Sequence, residues 1–347
     1  MTLASMARKH EPRKVPVSAT GERLTTSAMI ASLAAEGYDA VAAPFGHALV
    51  ELAKENERIV GLSADLAKYT DLHVFARAMP ERFYQMGMAE QVLMSAAAGL
   101  AREGFVPFAT TYAVFASRRA YDFIAMAIAE ENLPVKVVCA LPGLTTGYGP
   151  SHQATEDLAI FRGLPNMTVV DPCDAVDIAQ MVPAIAAHPG PVYARLLRGQ
   201  VSSVLTRHKP DYRFELGRAQ LIRDGKDVLV VASGLMTMRA LDAAERLAAD
   251  CVDVAVLHVP TIKPLDVGTI LAEAARGGRL VVTAENHTVV GGLGEAVAAT
   301  LLAGGVTPSF RMIGLPDEFL EAGALPTLHD LYGISVAKVA ERIKGWL

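Results

Sequence analysis

The chain has 347 residues, a net charge of -5 at pH 7 and 52% apolar residues, which exceeds one ordinary core and sets two domains as the expectation. No basic stripe marks a nucleic-acid footprint, no apolar run reaches the length of about 18 that spans a bilayer, and the start is too polar for a signal peptide, so a cytoplasmic protein with neither kind of partner is expected. Cys139, Cys173 and Cys251 are far apart and set in or beside apolar runs, which reads as reduced core thiols with no disulfide framework and no metal cluster.

Residues 1–36 mix basic residues, Pro, Ser and Thr and read as an N-terminal extension. From Phe45 the pattern is regular, with a helix over 47–55, a strand over 58–63, a helix over 71–79 and a short strand over 82–85. The next stretch, 86–99 (MGMAEQVLMSAAAG), is an Ala-rich helical run with Glu90 in its first turn. A carboxylate there sits at a strand-to-helix junction, near the positive end of the helix dipole and between apolar neighbours. Strands over 106–110, 135–140, 167–170 and 192–196 then alternate with helices over 113–131, 153–162 and 175–187. Such alternation with continuous apolar strands predicts an α/β fold, two consecutive domains that are each a mostly parallel sheet covered by helices.

The first domain is expected over 37–205, a linker over 206–216 around His208, Lys209 and Pro210, and the second domain over 217–347. Residues 218–223 and 227–232, with Asp224 and Gly225 between them, read as a hairpin opening the second domain. Helices over 238–248, 267–276 and 294–302 alternate there with strands over 252–259, 279–284 and 309–313. The end, 330–347, has a helical pattern with Lys338, Arg342 and Lys344 on a solvated face. Residues 289–298 (VVGGLGEAVA) form a glycine-rich turn before a helix, which packs tightly or, as a second option, cradles a phosphate, although the spacing does not match the dinucleotide fingerprint.

Three stretches taken in order, 86–91, 111–122 (TYAVFASRRAYD) and 149–157 (GPSHQATED), resemble the pyrimidine-binding domain of transketolase-like, thiamin-diphosphate-dependent enzymes. GLSADL at 61–66, LPNMTVVDPCDA at 164–175, the turn of Lys263, Pro264, Leu265 and Asp266, and AENHTVVGGLG at 284–294 extend the similarity from Phe45 to the end. It is closest to the separate C-terminal subunits of split transketolases; 1-deoxyxylulose-5-phosphate synthase and the β subunits of 2-oxoacid dehydrogenases are more distant. The resemblance implies that Glu90 hydrogen-bonds N1′ of the cofactor's aminopyrimidine and so helps the ring's own 4′ nitrogen take the C2 proton. Apolar surroundings would raise that carboxyl's pKa and let it share a proton with the ring.

By the same resemblance Phe115 stacks on the pyrimidine, Tyr112 lines its slot, and one of Arg118 and Arg119 faces it, the assignment going to Arg118. Without the motifs, aromatics at this spacing would be read as core. Asp65 matches an acid near the cofactor, His152 a histidine that donates to a substrate oxygen, and Arg195 an arginine that meets the substrate's phosphate. Tyr148 stands where the family commonly has an acid that contacts a sugar hydroxyl, Leu141 near an expected basic position and Ala42 near an expected arginine, which disfavours ordinary sugar phosphates.

The Gly-Asp-Gly and Asn pattern that holds the diphosphate and its Mg2+ or Ca2+ is missing from the sequence. The metal is therefore expected on a larger partner subunit carrying the diphosphate-binding domain, with α2β2 as the simplest closed assembly. The expected function is the smaller subunit of a two-component transketolase, moving a two-carbon ketol unit from a ketose to an aldose and active only with its partner. The alternatives are a 2-oxoacid-decarboxylating subunit, a non-catalytic scaffold, and a nucleotide-binding module built on Gly291 to Gly294.

Overall fold

The computed structural model describes residues 37–347, so the expected extension over 1–36 lies outside the described residues. The first sheet has seven strands in the order Thr261–Lys263, Thr168–Val170, Val192–Leu196, Lys136–Ala140, Val106–Tyr112, Ile59–Ser63 and Phe83–Gln85. All of its pairs are parallel except that made by Thr261–Lys263. The inner strands Ile59–Ser63, Lys136–Ala140 and Val192–Leu196 are buried throughout, because helices cover both faces, and this is why they read as apolar runs without alternation. A second sheet has the order Phe310–Leu315, Leu280–Thr288, Val228–Ala232, Val254–His258 and Gln220–Arg223, parallel except for the last. The two-domain α/β architecture is as expected.

Several local expectations are corrected. Gln220–Arg223 does not form a hairpin with Val228–Ala232; it pairs antiparallel with Val254–His258, which lies between them. Gly225 explains the route, since a Cβ on it would lie 2.4 Å from the backbone N of Ala255, so the turn crosses over the end of the intervening strand. The single helix expected over 113–131 is three pieces, a π-helical turn Phe115–Arg119, the α-helix Tyr121–Ile124 and a second π-helical turn Ala125–Ala129. Ala120 N donates to Phe115 O and Glu130 N to Ala125 O, the i to i+5 bonds that mark such turns. The C-terminal pattern is two helices, Leu325–Leu331 and Val336–Lys344. Arg342 is half-buried and only partly solvated: it donates to Met312 O and lies over the Trp346 ring.

The domains are interlocked. Thr261–Lys263 leaves the second sheet and extends the first against Thr168–Val170. Asp177, on the helix Ala175–Ala187, accepts from Tyr212 of the linker at 2.7 Å and faces His258 Nε2 of the second sheet at 2.9 Å. Cys173 N also donates to Asp177. Cys139 and Cys173 are buried, but Cys251 is exposed, contrary to the reading of all three as core thiols, because it sits in the left-handed turn after the helix Leu235–Ala248.

Candidate active site

Glu90 is the first residue of the helix Glu90–Arg102 and is 2% exposed. It follows the edge strand Phe83–Gln85 after the short turn 86–89, so the carboxylate is delivered to the carboxyl end of a parallel sheet, where ligands of such folds collect. Its surroundings are not purely apolar: Arg119 Nη1 donates to its Oε2 at 2.9 Å. The Arg119 guanidinium also lies 4.5 Å above the Phe115 ring centroid, a placement set by the widened π-helical turn that carries both residues. Tyr112 ends the strand Val106–Tyr112, with its ring 5.7 Å from Phe115. Tyr121, near the end of the same motif, packs on Phe161 of the core instead.

His152 joins this wall from the loop over 141–156, with ring centroids 5.6 Å from Phe115, 6.2 Å from Tyr112 and 5.5 Å from Tyr148. Burial, and then the Arg119 charge, hold its imidazole below the usual histidine pKa, so it is neutral at neutral pH. Ser151 Oγ sits 2.9 Å from Nδ1. Arg118 does not face this wall. It pairs with Glu156 and donates to Pro150 O at 2.8 Å and Gln153 O at 3.3 Å, bracing the loop that carries His152. Asp65 is exposed, in a left-handed turn after Ile59–Ser63, where its backbone N–H donates to Gln85 Oε1 at 2.7 Å beside the entry to the Glu90 helix.

Arg195 is the largest departure from expectation. It lies inside the strand Val192–Leu196 at 1% exposure, held by both oxygens of Asp157, by Asp171 Oδ2 at 3.4 Å and by Asn286 O at 3.2 Å. Its guanidinium is committed to the domain interface and does not reach the pocket. Arg198, three residues on and past the end of the strand, is a half-buried cation. It lies 5.7 Å from the Tyr69 ring centroid, its charge acts on Tyr112, and its buried Nε has no hydrogen-bond partner among the described residues. Asp71 fixes the turn it sits on, both carboxylate oxygens accepting Gly199 N–H at 3.1 Å. Burial pushes Asp71 up to about 6, against the opposing pull of that N–H and of Arg198. The signal was available in the sequence, since a strand interior points a long polar side chain into the core while the residue just beyond the carboxyl end faces the ligand.

The transketolase pyrimidine-binding domain matches residues 40–203 and the transketolase C-terminal domain matches residues 217–339. A putative uncharacterized transketolase family protein of Sinorhizobium fredii is 72% identical over 94% of each chain. The chain belongs to the transketolase family. A 6-deoxy-6-sulfo-D-fructose transketolase subunit from Clostridium sp. is 39% identical over 84% of this chain and 89% of its own. A solved structure described as a split gene transketolase, inactive beta4 tetramer, is similar with a TM-score of 0.79 and 43% identity, over 88% of this chain and 98% of that one. The chain thus has the span of a separate C-terminal subunit of a split transketolase.

One more candidate site spans the two domains, and another lies within the transketolase C-terminal domain. Its glycine-rich turn holds no vacant phosphate cradle: the Glu285 carboxylate accepts Leu293 N at 2.6 Å and Gly294 N at 2.8 Å, capping the helix Leu293–Ala303 from inside. A Cβ on Gly292 would lie 1.9 Å from Glu285 Oε2, which is why glycine stands there. Among the described residues, Cys173, Asp177 and His258 converge to within 4.8 Å, but Asp177 is already engaged by Cys173 N, Tyr212 and His258, and this is not the oxygen set that magnesium or calcium takes. The Glu90 carboxylate beside Phe115 and Tyr112, by contrast, offers the acceptor and aromatic faces that suit an aminopyrimidine.

Proposed function

We propose that this chain is the smaller subunit of a two-component transketolase that moves a two-carbon ketol unit from a ketose to an aldose with thiamin diphosphate. The observation that carries the reading is the buried Glu90 carboxylate at a helix start, beside the Arg119-capped face of Phe115. Bound thiamin diphosphate supplies a C2 nucleophile that holds the transferred two-carbon unit. Within this chain the Glu90 carboxyl would share a proton with the pyrimidine N1′, donating to the neutral ring nitrogen and accepting from it once protonated, Arg119 would keep the carboxyl in place, and Phe115 and Tyr112 would flank the ring. Neutral His152 donates to a substrate oxygen, Asp65 lies near the cofactor, and Arg198, in place of Arg195, meets an anionic end group.

The other half of the site is assigned to a larger subunit that holds the diphosphate and its Mg2+ or Ca2+. Exposed apolar side chains support this, since Met88 (81%) and Val92 (54%) bracket Glu90, with Met126 (61%) on the neighbouring turn. An α2β2 arrangement is the simplest closed assembly of the two chains. With Leu141, Tyr148 and Ala42 where the family commonly has polar or charged groups, the substrate is a ketose other than the common pentose phosphates.

The test is Glu90→Gln in the complex reconstituted with its partner, read by NMR as deuterium exchange at C2 of the bound cofactor. The amide keeps shape and assembly but does not exchange a proton with N1′, so exchange and kcat fall together while cofactor affinity changes little. Exchange at the wild-type rate would remove Glu90 from the mechanism and this reading with it.

A further inference from the structure

The loop over 141–156 carries Tyr148 and His152, yet its backbone is held chiefly by the other domain. Asn286 Oδ1 accepts Leu144 N at 2.9 Å and Asn286 Nδ2 donates to Pro142 O at 3.4 Å. His329 Nε2 lies 2.8 Å from Leu144 O, Gly323 N donates to Gly147 O at 2.9 Å, and Thr288 N to Thr155 O at 2.8 Å. The buried Gln153 side chain closes the set, donating to Thr146 O at 3.2 Å and to Glu321 O at 3.1 Å. Burial pushes His329 down to about 4, so it stays neutral and can donate from Nε2 at neutral pH.

Asn286 reaches the loop because the strand Leu280–Thr288 bulges there. Its pairing with Phe310–Leu315 is regular to Ala284 opposite Ile313 and resumes, shifted, at Thr288 opposite Leu315. The bulge turns Asn286 across the interface at 2% exposure. Contact is close enough that a Cβ on Gly143 would lie 2.0 Å from Asn286 O. Leu141, at φ 58, is a non-glycine residue in the left-handed region, a conformation that persists only where its surroundings impose it.

We propose that the C-terminal domain is the template of this active-site loop, with Asn286 as its main positioning residue. Asn286 touches no reacting group; its carboxamide fixes the loop backbone that places Tyr148 and His152. The structural part stands on the contacts above, and only its kinetic consequence rests on the proposed function.

Amide hydrogen exchange on the full chain tests it with Asn286→Ala and the isosteric Asn286→Asp, which keeps the acceptor for Leu144 N and, ionised, loses the donor to Pro142 O. In Asn286→Ala the amides of 141–156 exchange about ten-fold faster or more, as two lost hydrogen bonds imply. Asn286→Asp also speeds their exchange, and Val228–Ala232 stays within about two-fold of wild type in both variants. Unchanged loop exchange, or acceleration spread evenly over the second sheet, overturns the proposal. In the assembled complex Asn286→Asp lowers kcat with little change in cofactor affinity. A faster loop in a complex whose wild type shows no ketol transfer would leave the template standing and reject the proposed function instead.

Discussion

Replacing Arg195 by Met separates a structural arginine from a substrate-binding one. The guanidinium is gripped by both oxygens of Asp157, which also accepts from Tyr193 at 2.6 Å, and touches Asp171. Burial pushes both acids up, but the two-pronged contact with Arg195 holds Asp157 below its usual value, while the single longer contact leaves Asp171 raised. Met fills the volume and strands Asp157 at 0% exposure without its cation. Breaking a buried pair from one side costs about 3–5 kcal/mol, which for a domain of this size lowers the unfolding midpoint by about 6–20 °C. Arg195→Met with Asp157→Leu removes both charges and recovers much of the loss. Arg198→Met, at the pocket side, shifts the midpoint by no more than about 1–2 °C but raises KM for an anionic ketose in the assembled enzyme. Thermal unfolding of the full chain followed by circular dichroism reads the stability arm. An unchanged midpoint for Arg195→Met, combined with a raised KM, would refute the reasoning and restore Arg195 to the substrate.

Gly292→Ala should destabilise the second domain by about 1–3 kcal/mol in urea unfolding, because its Cβ would meet Glu285 Oε2 at 1.9 Å; a silent substitution would mean that the internal cap does not hold the turn. Burial raises Glu285 to about 7 from 4.5, against the pull of two backbone N–H groups. The folded chain therefore binds its proton more tightly than the unfolded chain, so the contribution of Glu285 is complete below about pH 4.5 and is lost as pH rises through about 7. The stability of wild type minus that of Glu285→Gln should fall across that window, and a constant difference would contradict the shift. Calorimetric titration of the isolated chain with thiamin diphosphate and magnesium should show weak binding or none, and tight binding would end the split-site reading.

What the sequence determined by itself was local or periodic. Apolar runs such as 135–140 and 192–196 announce strands buried on both faces, and their alternation with helices dictates a parallel sheet, because parallel neighbours need a crossover. Glu90 was legible for the same reason, since a carboxylate at the start of an Ala-rich helix is placed by that helix and the strand before it. The strand over 192–196 already separates Arg195 inside it from Arg198 beyond its end, but the acids that hold the first, Asp157 and Asp171, come from other elements and were not legible. Arg118 and Arg119 are adjacent, and only the π-helical turn decides that one braces the loop and the other meets Glu90. The strand Thr261–Lys263 added to the first sheet and the grip of Asn286 on the loop over 141–156 both pair groups distant in sequence. Such pairings carry no periodicity. They are fixed when buried charges and backbone groups, excluded from water, must take partners inside the fold.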